Sequence, residues 1–246
     1  MLKQLQQQTN KITHLNKNNK MKNKIFSIAI ILMLTASLAI AQRPGGQRTA
    51  FGVLGGVNFQ TLSGKNFAGD KLENDLIIGY HAGLNIQIPI APEFYFQPGV
   101  LFSTKGAKIV NDPMTRTINL SYIEVPLNLV YKGLLGNGYV MVGIGPYVGY
   151  AFKGTDKFEV GSISYENDIE FVNVVDASND LLGSYFKALD AGANIFAGYE
   201  LAGGLFFQLN TQLGLLKINP EDNRLPDDNK REYKNTGYGV SLGYRF

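Results

Sequence analysis

Apolar and polar residues alternate with a period of two along most of the chain after residue 50, and this pattern predicts β-strands. The last nine residues show it most clearly, because Tyr238, Val240, Leu242, Tyr244 and Phe246 share one face of an extended strand. Glycine, serine and arginine alternate with them on the opposite face. One face is therefore apolar and aromatic, while the other is small or charged.

Eight stretches show this alternation, at about residues 50–61, 76–88, 93–105, 118–131, 139–152, 186–200, 205–216 and 238–246. The connections after the second, fourth and sixth stretches are short, whereas the other connections, including 106–117 and 153–185, are longer and polar. Such a division is typical of membrane barrels, with short turns on one side and long loops on the other. We predict an all-β fold over residues 50–246: an eight-stranded antiparallel up-and-down transmembrane β-barrel.

The polar face of each predicted strand is expected to line the barrel interior. Its members are Asn58, Gln60, His81, Asn85, Gln87, Glu93, Gln97, Glu124, Asn128, Asp190, Asn194, Glu200, Gln208, Asn210, Gln212 and Arg245. The opposite faces carry almost no charge, and a soluble protein would hardly leave eight such faces in water. A soluble lipocalin-like binder of apolar ligands, which also has eight antiparallel strands, is therefore the weaker alternative.

Glu124 lies in the middle of the fourth predicted strand, where a carboxylate facing hydrocarbon would be costly. We therefore predict that it points into the barrel, within a structural network of interior polar side chains. We expect Glu124 to accept hydrogen bonds from Tyr95, Gln97 or Tyr147. The cationic alternatives are Lys105, Lys132 and Arg245.

Arg245 is expected to pair with Glu93 or Glu200 instead, because all three residues lie near the short-turn end of their predicted strands. His81, on the second predicted strand, is assigned to the same interior polar network. Tyr95, Tyr122, Tyr147 and Phe206 are expected to fill the lumen, since eight strands enclose little more than side chains.

His81 is the only histidine after residue 41. Nucleophilic enzymes place a nucleophile beside a base, and neither G-x-S-x-G nor H-E-x-x-H occurs in the sequence. We expect His81 to be a hydrogen-bonded interior side chain, and we predict no enzyme, catalytic residue, cofactor or metal site. A lipid-modifying barrel enzyme is the alternative.

The first 41 residues are predicted to lie outside the fold. Residues 21–24 are basic, 25–34 form an apolar run too short to span a bilayer as a helix, and 39–41 have a small-x-small pattern. We predict a cleaved signal peptide at 21–41 and a periplasmic lead-in at 42–49. Residues 1–20 are interpreted as an over-extended start or a disordered leader.

The charge of the whole chain, +3, depends on the amino-terminal segment. Taking the six lysines of residues 1–41 from the 23 basic residues leaves 17 against 20 acidic residues, a net charge of −3. This balance gives no indication of a nucleic-acid partner. The absence of cysteine excludes a disulfide framework and a thiolate metal site.

The connection 153–185 contains seven acidic residues. A divalent ion or a basic partner would suit such a loop, but the spacing is not that of a calcium loop. We expect a solvated loop. Alternating apolar residues between Phe158 and Phe171 suggest that its flanks extend a hairpin beyond the membrane.

Four segments resemble the PorT-type outer-membrane β-barrel family of Gram-negative bacteria: 51–58, 97–102, 122–127 (Tyr-Ile-Glu-Val-Pro-Leu) and 237–246. The resemblance covers nearly all of the chain after the predicted signal peptide. It implies an outer-membrane barrel, in a family where most members have no assigned chemistry and one branch acts in protein secretion.

The closing strand also resembles that of bacterial outer-membrane barrels, whose final phenylalanine is read by the assembly machinery. The resemblance implies an assembly signal at Tyr244 and Phe246. The expected partners are outer-membrane lipid, the assembly machinery and a protein at the extracellular loops. We expect a monomer with a structural, adhesive or assembly- and secretion-related role.

Overall fold

The alternating segments are β-strands in the computed structural model, which describes residues 48–225 and 230–246. The predictions for residues 1–20 and 21–41, and most of the lead-in at 42–49, lie outside the described residues. Residues 50–246 form one unit by their contacts. No helix in the described part of the chain is long and apolar enough to cross a membrane.

Twelve strands lie within the described residues: β1 (Ala50–Lys65), β2 (Ile77–Ala91), β3 (Phe94–Asn111), β4 (Met114–Leu135), β5 (Gly138–Val160), β6 (Ile163–Phe171), β7 (Val174–Val175), β8 (Ser184–Phe186), β9 (Leu189–Leu201), β10 (Leu205–Gly214), β11 (Glu221–Asp222) and β12 (Glu232–Arg245). Eight of them close a ring in the order β1-β2-β3-β4-β5-β9-β10-β12, and every neighbouring pair is antiparallel. The predicted eight-stranded ring is therefore present.

The side chains of the ring strands alternate between the outside and the inside of the barrel, as the sequence pattern predicted. Outward-facing apolar residues are exposed, with Ile78 at 74% and Leu242 at 60% relative exposure. Inward-facing polar residues such as Asn58 and Gln87 are buried. A ring with an apolar outside and a polar, side-chain-filled inside is the arrangement of a membrane barrel.

The two ends of the ring differ. At the short-turn end, strands are joined through 92–93, 136–137 and 202–204. At the long-loop end, most connections are longer. The prediction of a loop at 106–117, however, is wrong. β3 and β4 continue through it as a hairpin, paired from Lys105↔Leu120 to Asn111↔Met114, because Ala107 and Ile118 keep the inward apolar pattern and are buried.

β5 also extends past the ring. Its residues 155–160 pair with β6 from Thr155↔Asp168 to Val160↔Ile163, so the flanks of 153–185 do form a hairpin. β6 then pairs in parallel with β8, and the short strands β7 and β11 pair in parallel with each other. These additions stand at the long-loop end.

The lumen is filled in layers along the barrel axis. The inward-facing residues of β4 belong to successive layers, from the long-loop end to the short-turn end. Ile118 and Leu120 belong to an apolar plug at the long-loop end, Glu124 to an ion cluster, and Asn128 to a polar cavity. Val130 belongs to a lower apolar layer, with Met141, Phe196 and Phe206. Lys132 then reaches the rim at the short-turn end. The full apolar plug comprises Leu62, Ala107, Ile118, Leu120, Tyr122, Ala151, Ile169, Phe186 and Ile218.

Candidate functional site

The rim cluster consists of Lys132, Glu200 and Arg245, at the short-turn end of the lumen. Lys132 Nζ lies 2.6 Å from Glu200 Oε1, and Arg245 Nε lies 2.8 Å from Glu200 Oε2. Arg245 also donates a hydrogen bond from Nη1 to Asn85 Oδ1 at 2.9 Å. One carboxylate thus holds two cations, and the cluster ties β4, β9 and β12 together.

Glu93 does not join this cluster, contrary to the sequence expectation. It lies in the turn between β2 and β3, is exposed, and has a φ of 67°. Its backbone oxygen accepts a hydrogen bond from the amide of Lys132, and its carboxylate contacts the Tyr131 hydroxyl. Glu93 lies in the two-residue turn, before the alternation of β3 begins at Phe94. Its side chain is therefore exposed beside the outward-facing Tyr131 and does not enter the lumen.

The ion cluster consists of Lys105, Glu124 and Asp190, all with side chains no more than 1% exposed. Lys105 Nζ lies 2.6 Å from Glu124 Oε1 and 3.1 Å from Asp190 Oδ2. Gln212 donates to Glu124 Oε2 at 2.9 Å, and the Tyr147 hydroxyl donates to Asp190 Oδ2 at 3.2 Å. Two carboxylates therefore share one ammonium group in a buried layer.

The expected partners of Glu124 were wrong. Tyr95 and Gln97 lie nearer the short-turn end of β3, and the Tyr147 hydroxyl bonds the other carboxylate of the cluster. Lys105, which the sequence suggested only as an alternative, is the cation that reaches Glu124. A fully buried carboxylate needs a cation or dense hydrogen bonding; Glu124 has the cation, Lys105, and one hydrogen bond from Gln212.

Some polar atoms of this layer lack a hydrogen-bond partner among the described residues. They include Asp190 Oδ1 and Asn235 Oδ1. Asn235 donates from Nδ2 to both Tyr122 Oη and Asp190 Oδ2, at 3.1 and 3.0 Å. The layer is thus richer in negative charge and acceptors than in donors.

His81 has both ring nitrogens in contact with side chains of other strands. Nδ1 lies 2.7 Å from Asn58 Oδ1 on β1, and Nε2 lies 2.7 Å from Ser241 Oγ on β12. Sequence reasoning assigned His81 and Asn58 to the interior and placed Ser241 opposite the apolar face of the last strand, but it did not predict the contact between His81 and Ser241. The missing signal was register: His81 and Ser241 both pair with Gly56, from opposite sides of β1.

A polar cavity of about 50 Å³ lies beside His81. Its walls include Asn58, Glu124, Gln208, Asn210 and Ser241. By volume it has room for about three to five waters, since each needs about 10–15 Å³. Within residues 48–225 and 230–246, no group of three or more His, Cys, Asp or Glu side chains is placed to hold a metal ion.

The acidic residues of 153–185 occupy different environments. Asp156 is buried and accepts hydrogen bonds from Arg116 and Ser184, with Arg116 Nη2 at 2.6 Å. Asp176 is solvated, and the side chain of Ser178 holds its pKa below the usual value. Nearby, hydrogen bonding from Arg224 lowers the pKa of Asp222. Asp156 thus has a structural partner within the protein.

Comparison with known proteins gives a family. The model of the family described as "Outer membrane protein beta-barrel domain" matches residues 40–219. A search of curated proteins finds no match.

Solved structures of bacterial barrels are similar at low identity. Ail, the attachment invasion locus protein of Yersinia pestis, is 11% identical, with 81% of this chain and 100% of that chain covered and a TM-score of 0.39. Neisserial surface protein A is 11% identical, with coverages of 81% and 98% and a TM-score of 0.39. The N-terminal barrel of OprF from Pseudomonas aeruginosa is 14% identical, with coverages of 82% and 100% and a TM-score of 0.35. Nothing about activity follows from likenesses at this level.

The family match extends over most of the ring, from before β1 to the connection after β10. Together with the apolar outside of the closed ring, it places the protein in the outer membrane and excludes the soluble lipocalin-like alternative. The chain belongs to the outer membrane protein beta-barrel domain family.

Proposed function

We propose that this protein is a plugged barrel that acts through its long-loop end and through partner proteins, in a structural, adhesive or assembly-related role. The observation that carries the proposal is the filled lumen. Tyr122, Tyr147, Lys105, Phe186 and Phe206 are the largest fully buried side chains of the described residues. They belong to successive layers, so bulk flow of solutes through the barrel has no path.

The hairpins at the long-loop end supply the surface for such a role. β4 has 22 residues and β5 has 23, whereas a strand needs only about 9–11 residues to cross the hydrocarbon core. The excess, which includes the paired part of β5 and β6, supports a projection beyond the membrane. We assign this end to the cell exterior, because long loops of such barrels face outward.

The finer family placement and the partners are part of the same proposal. The PorT-type branch is supported by the sequence of the segment 122–127. Within this segment, Glu124 belongs to the ion cluster and Pro126 lines the cavity. The closing strand β12 is proposed to engage the assembly machinery through Tyr244 and Phe246. We propose that the folded protein is a monomer that contacts a protein partner through its extracellular hairpins.

Conductance in planar lipid bilayers tests the plugged lumen. The refolded wild-type protein is expected to give no steady channels of nanosiemens size. The double variant Phe196→Ala with Phe206→Ala removes two rings from the lower apolar layer and should raise the background conductance. The outward-facing Phe207, 52% exposed, offers a matched control, and Phe207→Ala should behave like the wild type. Reproducible large channels from the wild-type protein would contradict the proposal.

A surface test addresses the role of the long-loop end. Protease added to intact cells is expected to cut within 176–183, which lies outside the strands, while the ring stays folded. Replacing 176–183 by a short turn should abolish capture of a cross-linked partner from intact outer membranes without changing outer-membrane insertion. Unchanged capture after this replacement would assign the partner contact elsewhere.

A further inference from the structure

The hydrogen bonds of Ser241, His81 and Asn58 form a directed chain, which we call the Ser-His-Asn chain. Asn58 Nδ2 donates to the backbone oxygen of Thr104 at 3.4 Å and to Ser103 Oγ at 3.2 Å. Because a backbone oxygen only accepts, the amide nitrogen of Asn58 is fixed on that side and Oδ1 faces His81. His81 Nδ1 must then carry the proton, which leaves Nε2 as the acceptor.

Ser241 therefore donates its hydroxyl proton to Nε2 of His81, at an Oγ–Nε2 distance of 2.7 Å. A nucleophile within about 2.6–3.2 Å of a base, with the base oriented by a third group, is the arrangement of an activated serine. Asn210 Nδ2 lies 3.1 Å from Ser241 Oγ. The amide of Asn210 thus donates to the serine oxygen from the side away from His81 and helps to fix its position.

Gly56 makes this chain geometrically feasible. His81 and Ser241 lie on the strands that flank β1, and their contact passes over Gly56. A Cβ at position 56 would overlap the backbone oxygen of Val240 and would lie 2.7 Å from His81 Cε1 and 2.9 Å from Nε2. Only a residue without a side chain leaves this contact open.

The cavity supplies room at the same place. Asn58, His81, Asn210 and Ser241 all line it. The apolar plug and the lower apolar layer lie on either side. A compound that reaches the serine must therefore be small and uncharged, which points to short-chain acyl esters.

We propose that Ser241 is a nucleophile activated by His81 and that it accepts the acyl group of small esters. As Oγ bonds to the carbonyl carbon, its proton moves to His81 Nε2. When the ester C–O bond breaks, that proton passes to the departing alkoxide and an alcohol leaves. Water then attacks the acyl-serine by the same route, which releases a carboxylic acid and restores the serine hydroxyl. This activity goes beyond the structural role proposed above.

The test uses methanesulfonyl fluoride, a small neutral reagent that sulfonylates activated serines with loss of fluoride. The full chain, folded in detergent micelles, is treated and its intact mass and peptides are measured. We expect one adduct at Ser241, absent in Ser241→Ala. Ser63→Ala is the matched control, because Ser63 Oγ contacts Thr236 Oγ1 and no histidine among the described residues. It should be labelled like the wild type.

Three further variants distinguish an activated serine from one that is only buried. His81→Gln should slow labelling by about 100-fold or more, the usual contribution of a general base. Asn58→Asp keeps an oxygen facing Nδ1 and should retain most of the rate, whereas Asn58→Leu should not. Heat-modifiable gel migration confirms that each variant is folded.

Release of acetate from ethyl acetate, followed by the wild type and Ser241→Ala, tests turnover. Acetate release that depends on Ser241 supports the proposal. An unlabelled wild type, labelling away from Ser241, or equal rates for the wild type and folded His81→Gln would overturn it. The Ser-His-Asn chain would then be a structural hydrogen-bond network.

Discussion

Single side chains inside the barrel are constrained most strongly where charge and close packing coincide. Lys105 lies between two buried carboxylates, those of Glu124 and Asp190. If one carboxylate is replaced by a neutral group, Lys105 still has the other as its ion-pair partner. Removing one member of a buried ion pair is costly because the other is left without compensation. Lys105 is the member that cannot be replaced.

We expect Lys105→Met to destabilise the barrel by about 3–5 kcal/mol, because Glu124 and Asp190 would then be buried without a cation. Glu124→Gln should be tolerated, since Lys105 keeps Asp190 and the new amide can still bond Gln212. Glu124→Leu should cost about 1–3 kcal/mol through stranded polar partners. Unfolding midpoints in detergent give the comparison, and equal stability of all three variants would contradict this interpretation.

Gly56 is the second sensitive position. A methyl group there would overlap the backbone oxygen of Val240 and press on the His81 ring, and overpacking of this kind costs about 1–3 kcal/mol. Gly56→Ala should lower the thermal unfolding midpoint in detergent. Gly203→Ala is the control, because a Cβ there meets nothing within 4 Å; a matching drop in both variants would argue against a specific clash.

Strands and hairpins show where sequence reasoning succeeds and where it fails. The period of two was enough to find the eight ring strands, since lipid and lumen impose opposite chemistry on alternate residues. It was not enough at 106–117, where Lys108 and neighbouring polar residues suggested a loop although Ala107 is buried. The sequence offered Lys105 among several partners of Glu124 but could not single it out, because the choice depends on the cross-strand register of β3 and β4, in which Lys105 pairs with Leu120.

The β3–β4 hairpin is expected to contribute to stability through the apolar plug. Ile118 is fully buried there, so Ile118→Ala should cost about 2–5 kcal/mol by leaving a cavity. Ile163, at the tip of the β5–β6 hairpin, is 73% exposed, and Ile163→Ala should change little. Unfolding in detergent measures both, and similar losses would mean that the plug does not stabilise the hairpin.

The barrel as a whole is held by a ring without free edges in its membrane-spanning part, which removes the unpaired backbone groups that lipid cannot solvate. Its outside matches lipid and its inside is filled. The layers alternate between apolar and ionic along the axis. Each strand of the ring contributes to several layers, so loosening one layer is expected to affect its neighbours.

Assembly of the ring is expected to depend on the end of β12. Phe246 is 74% exposed, its ring centroid lies 5.0 Å from that of Tyr244, and its amide donates to Phe51 O at 2.8 Å. Phe246→Ala should lower the yield of heat-modifiable barrel in outer membranes, while the unfolding midpoint of the inserted fraction changes little. Phe96→Ala, another outward aromatic, is the control, and equal yields for the two variants would remove the assembly role.

The β1–β12 seam joins residues that are 167 to 193 positions apart in the sequence, from Lys65↔Glu232 to Gly52↔Arg245. Contacts of such long sequence separation form late, because the intervening chain loses much freedom before they stabilise anything. Until β12 docks, β1 and β10 both present unpaired edges, which are templates for aggregation. The unfinished barrel is therefore expected to be prone to aggregation until the seam closes, and a chain cut short before β12 is expected to keep both edges open.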